Sequence, residues 1–523
     1  LSKNQDCRKK MNKKGSAARC VVQTAGAAKE PLIFNLRNMK EFCKTKLGAA
    51  LLLLIVSAGC RTVGPDYKPV SVEMPSSWPS IDVPAAEGGP IAQQLDTEAL
   101  AEWWATLEDP ALSNLVERAV SNNKDLKVAL TRIRQSRAEL GIADKQLDPS
   151  VSGSAQYRRT QSGSPTAEDP DPALFSTGSN YFDAGFDASW EIDLFGKKHR
   201  TIEAAAAQLE ASEEGFRSVL VSLASETADN YVELRTLQQQ MEIVRRNLQL
   251  QEKALDVLED QAEAGLISYL QVRQARYNIE STRSRIPVYN ASIEETMNAL
   301  AILLGETPGG LHRELSVLGS IPVPRVEIAV GIPADILRRR PDIRNAERAL
   351  AAQTARIGAA TADLYPVFSL SGALGMTASS LDAFFSDESP GISIAPFISV
   401  PLFNRDRIRD QIEIQSAIQE RYLIEYETTV LDAIKEVRDA MISYGEEQKR
   451  YRILEKGAAE ARSALNIAEE QFRSGLVSFL NVLDAQRSLL SFEETQVGSR
   501  GNITRSLIKL YKALGGGWHA EGV

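Results

Sequence analysis

From Tyr181 to Leu194 apolar and polar residues alternate without a break. Phe182, Ala184, Phe186, Ala188, Trp190, Ile192 and Leu194 fall on one side; Asp183, Gly185, Asp187, Ser189, Glu191 and Asp193 fall on the other. A period of two predicts a strand, over about 180–194, with one apolar and one acidic face. Three more segments read as strands, at about 150–160, 366–376 and 391–402. Elsewhere the period lengthens. No proline occurs from Lys197 to about Gln261, and Leu234, Leu237, Met241, Val244, Leu248, Leu255 and Leu258 keep heptad spacing, interrupted only by Gln251. A second such run, from about Arg405 to Phe472, carries Val430, Ile434, Val437, Met441 and Tyr444. At 1.5 Å per residue each helix would be on the order of 100 Å long, too long for a compact domain.

The pattern is written twice. Gly265, Leu266, Ser268 and Leu270 match Gly475, Leu476, Ser478 and Leu480, while Asp125, Gly141 and Pro149 match Asp342, Gly358 and Pro366. Matches in constant order over most of two halves indicate a duplicated half-molecule. Each half reads as a helix (112–145; 335–362) ending at a proline, two strands around a loop, then a very long helix that turns at a glycine and returns. Four strands cannot close a barrel alone and leave two edges, so copies must associate to supply eight, twelve or more. The alternating strand by itself suits a soluble sandwich or a membrane barrel with lipid outside and water inside.

Residues 39–60, MKEFCKTKLGAALLLLIVSAGC, favour the membrane. Lys40, Lys44 and Lys46 precede an apolar run, Leu47 to Val56, and small residues lead into Cys60. This is a secretory signal, too short to span a bilayer as a helix. Its ending resembles the bacterial lipobox, which implies covalent lipid on Cys60; Arg61, in place of the Asp that retains such proteins in the inner membrane, implies sorting to the outer membrane. Residues 1–38 are expected to be an upstream extension outside the working protein. Removing both segments takes the net charge from −9 to −18, from 48 basic and 66 acidic residues. That acidity argues against nucleic acid as a partner. Cys60 is the only cysteine left beyond the signal, so no disulfide forms within one mature chain.

The segments GCRTVGPDYKPV (59–70), WWATLEDPALSNLVERAVSNNKDLKVALTRIRQSRAEL (103–140), SWEIDLFGK (189–197), LRRRPDIRNAERALAAQTARIGAA (337–360) and GLVSFLNVLDAQRSLL (475–490) span nearly all of 60–515. The chain resembles the TolC-like outer-membrane factors, in particular their NodT-type efflux lipoprotein branch. The resemblance implies an α+β membrane protein: a homotrimer whose twelve-stranded β-barrel, four strands per chain, continues into a twelve-helix periplasmic α-barrel. It implies an exit duct in a Gram-negative outer membrane, reaching into the periplasm and closed at its tip like an iris. The implied partners are outer-membrane lipid, a periplasmic adaptor (membrane fusion protein) and an inner-membrane efflux pump of RND type. The implied adaptor contacts are the helix-turn tips, Gly265, Leu266 and Ser268 with Gly475, Leu476 and Ser478; the implied gate is Leu480 and Asp484. Asn481 and Val477 depart from relatives that carry an acid and a latching arginine there. Asp183, Asp187, Glu191 and Asp193 are expected to line the lumen.

The expected organisation is extension (1–38), signal (39–59), anchored segment (60–110), first repeat (111–330), second repeat (331–515) and tail (516–523). No phosphate-binding GxxxxGK sequence, HExxH or Cys/His cluster occurs, so no enzyme, metal or cofactor is expected beyond the lipid. Five methionines scattered beyond the signal, at 74, 241, 297, 376 and 441, offer no copper or silver relay. Two competing readings are a periplasmic adaptor lipoprotein and a coiled-coil spacer. An adaptor carries one hairpin among β-rich domains, and a spacer leaves the strands unexplained.

Overall fold

The computed structural model describes residues 62–70, 100–161, 179–323, 334–387 and 389–518. The extension, the signal and Cys60 lie outside the described residues. The first repeat begins with α1 (Pro110–Asn122) and α2 (Lys124–Lys145), where the hydrophobic period predicts one helix over 112–145. Asn123 makes the break. Its backbone is non-helical, its side chain accepts from Leu126 N at 2.9 Å to cap α2, and its Nδ2 donates to Leu303 O at 2.9 Å. Asp109 caps α1 by accepting from Ala111 N and Leu112 N, with Pro110 at the first helical position. In the second repeat a 3₁₀ turn, Ala334–Arg339, precedes α7 (Pro341–Ala362), because the residue before a proline leaves the helical region.

The strands are β1 (Ser150–Thr160), β2 (Ser179–Ile192), β3 (Val367–Ala378) and β4 (Pro390–Ser399), forming an antiparallel meander in chain order. The expected last strand, 391–402, stops short of Pro401, which has no N–H for the ladder. Register segregates the faces, since directly paired residues point the same way. Phe186 lies between Gly153 and Leu374, Trp190 faces Leu370, Ile192 faces Phe368, and Leu374 faces Ile392. The opposite face pairs Asp187 with Ser152 and Ala373, Asp183 with Gln156 and Thr377, and Glu191 with Ser369. Aromatic rings mark both ends of the apolar face. Tyr157, Phe182 and Phe384 touch in sequence at 4.8 and 6.4 Å, and Trp190 donates Nε1–H to Leu147 O at 2.8 Å. From Phe182 to Trp190 the strand runs about 27 Å at 3.4 Å per residue. A tilt of about 40° leaves a band roughly 20 Å tall, close to the apolar belt of a membrane barrel.

Beyond the sheet run α3 (Lys197–Glu263) and α9 (Arg405–Arg473), 67 and 69 residues long. They are joined by α4 (Tyr269–Arg283), α5 (Arg285–Leu303), a one-turn α6 (His312–Leu315), a one-turn α8 (Leu381–Phe384) between β3 and β4, and α10 (Phe479–Ala513). Return is continuous in the second repeat and interrupted at Ser284 in the first, three residues before Pro287. The heptad seam of α3 is buried at Leu234, Val244, Leu248 and Leu258, and the interrupting Gln251 is buried with it. Both repeats meet in one core where Trp103 stacks on Tyr511 at 5.2 Å beside Leu112, Leu300, Val430 and Leu507. Arg505 ties α10 to α3 there, through both Asp229 oxygens at 2.9 Å and Glu233 at 2.8 Å. Among the described residues no helix is long and apolar enough to cross a membrane.

Candidate functional site: the paired helix tips

The two hairpins end alike. Gly265 and Gly475 have φ of +74° and +71°, and the following amides reach back five residues, Leu266 N to Gln261 O at 2.8 Å and Leu476 N to Gln471 O at 2.9 Å. This is the left-handed helix ending that glycine permits without strain. Ser268 then caps α4, accepting from Leu270 N at 3.2 Å. Ser478 stands at the same position before α10 but bonds Asn481 Oδ1 instead, at 3.2 Å. Asn481 therefore serves the turn. The turns hold Leu266 and Leu476 outward, three-quarters exposed.

Behind them an apolar cluster, Leu258, Val272, Ala275, Phe479, Val482 and Leu483, locks the two hairpins together. Phe472 and Phe479 meet at 5.4 Å. A cleft of about 510 Å³ opens between the tips, bounded by Leu266, Ile267, Phe472 and Val477.

Leu480 and Asp484 lie one turn apart on one face of α10, both exposed in the single chain. The arginine that spacing did not single out is Arg487. Its Nε donates to Asn278 Oδ1 on α4 at 2.7 Å, its guanidinium lies 5.4 Å from the Tyr277 ring centre, and Nη1 is 3.9 Å from Asp484. The signal was present: an arginine three residues after an acid on a helix shares its face.

Of the four strand acids, Asp183, Asp187 and Glu191 share the polar face of the sheet. Asp193 does not belong with them. The strand ends at Ile192, and the almost buried Asp193 carboxylate accepts from the backbone N–H of His199 at 2.9 Å and lies 2.7 Å from its ring Nδ1. It fixes the start of α3. His312 is likewise paired, with Glu294 at 2.8 Å, and the described residues include no cluster of acids, histidines or cysteines fit for a metal ion.

Near the sheet the strap 62–70 joins the strand–helix junction. Val63 N donates to Phe195 O at 3.1 Å, and buried Arg200 donates to Val63 O at 3.2 Å and pairs with Asp66 at 2.5 Å. Tyr67 OH donates to Glu347 at 3.1 Å.

A sheet with an aromatic-bounded apolar face, open at two edges and continued by helices of about 100 Å, defines one protomer of an outer-membrane channel. The comparisons agree: residues 115–306 and 332–516 match the model of the outer membrane efflux protein family, and the chain belongs to that family. It is 32% identical over 473 residues to the solvent efflux pump outer membrane protein SrpC of Pseudomonas putida, covering 90% of this chain and 97% of the relative. Against the cation efflux system protein CusC of Escherichia coli O6:H1 it is 30% identical over 460 residues, covering 88% and 96%. The solved outer-membrane channel OprN superposes with a TM-score of 0.79 at 34% identity, over 87% of this chain and 99% of that one. The protein is thus an outer-membrane efflux channel reaching into the periplasm, and its relatives are channels, not enzymes.

Proposed function

We propose that three copies form a passive exit duct whose periplasmic end is closed by Leu480 and Asp484 and engaged by an adaptor at the two helix tips. The carrying observation is the pair of matching tips: two glycine turns hold Leu266 and Leu476 outward beside the hydroxyls of Ser268 and Ser478, directly below the exposed Leu480–Asp484 face. An exposed leucine beside a hydrogen-bonding group offers a partner helix apolar area to bury and a polar group to fix its register. The duct receives its cargo from an inner-membrane pump of RND type through that adaptor. Relatives are named for solvent and for cation efflux, which supports a duct that leaves the choice of cargo to its pump.

Lipid on Cys60 fits the strap. Thr62 lies against Gly196 at the junction where the strands end, and two residues reach about 7 Å. A lipid at Cys60 would therefore enter the inner leaflet beside the barrel. Asp183, Asp187 and Glu191 on the polar face would give the lumen a preference for cations.

Single-channel conductance in planar bilayers tests the gate. The small conductance of the wild-type protein should rise in Asp484→Ala, and block by a multivalent cation on the periplasmic side should weaken. Absence of conductance in both, with insertion verified, would reject the gate at Leu480 and Asp484. A reversal potential favouring anions would reject the cation preference.

A further inference from the structure

Three consecutive residues of α10 bind it to α3, α5 and α9 at one level. Phe492 lies over Gly457 of α9, where an added Cβ would meet the ring at 2.6 Å. Glu493 pairs with Arg246 of α3 at 3.3 Å and with Arg462 of α9. Glu494 turns inward, pairs with Arg285 of α5 at 2.6 Å and accepts from Tyr289 OH at 3.0 Å, while its backbone carbonyl accepts from Gln240 of α3 at 3.0 Å. Arg285 is the first residue of α5, so the clasp sits at the Ser284 break. Burial pushes the Glu494 carboxyl above its ordinary range even with Arg285 beside it. A buried charge of this kind is tolerated only while its partners stay in place.

Tipward of the clasp the packing changes character. Between the apolar group around Val244 and Leu490 and the tip cluster around Phe479 lie buried amides: Asn247, Gln251, Asn278 and Gln486. Gln251 Oε1, Asn278 Nδ2 and Gln486 Oε1 have no hydrogen-bond partner among the described residues. Interlocked apolar side chains resist sliding, whereas amides can exchange partners or take in water as helices shift. One side of the clasp is welded and the other is compliant.

We propose that Glu494, with Glu493, is the positioning residue of the gate: it pins α10 to the break in the first hairpin, and the helices tipward of it swing as a unit to part the Leu480–Asp484 constriction. This rests on the gate reading above. Loss of the clasp frees the swing without altering Asp484 itself.

The test uses the full-length lipidated trimer in planar bilayers, with Glu494→Gln and Arg285→Met beside Asp484→Ala. Spin labels at Ala264→Cys and Ser474→Cys report the tips; labels at Glu226→Cys and Lys509→Cys report the welded side. Loss of one charge-assisted hydrogen bond should raise open probability about tenfold in either clasp variant. Multivalent-cation block should persist, tip distances should broaden, and the welded pair should not change. If Asp484→Ala opens the channel while both clasp variants leave opening and tip distances unchanged, the fulcrum is overturned and the gate stands. Broadening of both label pairs would mean general loosening and would also overturn it. A silent Asp484→Ala beside broadened tips keeps the fulcrum and removes the gate from Asp484.

Discussion

Replacing Arg487 by alanine should open the channel and, unlike removal of Asp484, make it more sensitive to cation block. The Arg487 hydrogen bond to Asn278, at 2.7 Å, comes from a charged donor and is worth about 1.5 kcal/mol at a half-exposed site. The approach to Tyr277 adds about 0.5 kcal/mol. The 3.9 Å approach to exposed Asp484 adds at most about 0.5 kcal/mol. A closed state weakened by about 2 kcal/mol per chain shifts each chain's own two-state closed-to-open ratio by a factor of about 30. Asn278 is buried and already has an unpartnered Nδ2, so its orphaned Oδ1 would further penalise the closed arrangement. Removing the cation beside Asp484 also leaves that carboxylate less compensated. Single-channel recording with and without a periplasmic multivalent cation separates the effects: Arg487→Ala should open and tighten block, Asp484→Ala should open and weaken it. Unchanged opening, or weaker block in Arg487→Ala, would refute the reasoning.

Two further outcomes follow from the packing. Gly358→Val should detach the strap, because an added Cβ would lie 2.8 Å from Arg200 Nε and displace the side chain that holds Val63 and Asp66. Tryptic cleavage at Lys68 should then accelerate while the rest of the chain stays folded; equal cleavage rates would refute it. Buried Glu214, between Arg217 and Arg344, has its carboxyl raised by burial above the ordinary 4.5. The folded chain therefore holds this proton more tightly than the unfolded chain, and the group's contribution to stability is greatest in acid and falls as pH rises past 4.5. Glu214→Gln should flatten that portion of the unfolding midpoint against pH, and an unchanged slope would count against it.

The strands and long helices were legible because their periods are unambiguous. Alternation from Tyr181 to Ile192 survives unaltered in the register, and the α3 seam is buried or half-buried at every heptad leucine, valine and methionine named for it. Period alone placed Asp193 with the lumen acids, since alternation does not reveal where hydrogen-bonded pairing stops and a cap begins. It also ran one helix through Asn123, whose side chain is recruited by Leu303, 180 residues away. At the tips Gly265 and Gly475 announced themselves because only glycine takes that turn cheaply. Arg487 did not, because an arginine in a polar helical stretch reads as solvated until its partner on another helix is known. Glu493 and Glu494 were hidden for the same reason: their partners are supplied by helices distant in sequence.

The four-strand meander leaves β1 and β4 each with one unpaired edge, and the apolar face alone does not cover those edges. Insertion and assembly must then be a single event: no chain can complete its hydrogen bonding in lipid before its neighbours arrive. A strand-defective chain that still folds its helices would therefore poison its partners. Coexpressed in equal amount with normal chains, it would leave about one trimer in eight free of defects under random mixing. Loss-of-function alleles in the sheet should be dominant, and those that prevent the chain from assembling at all should be recessive.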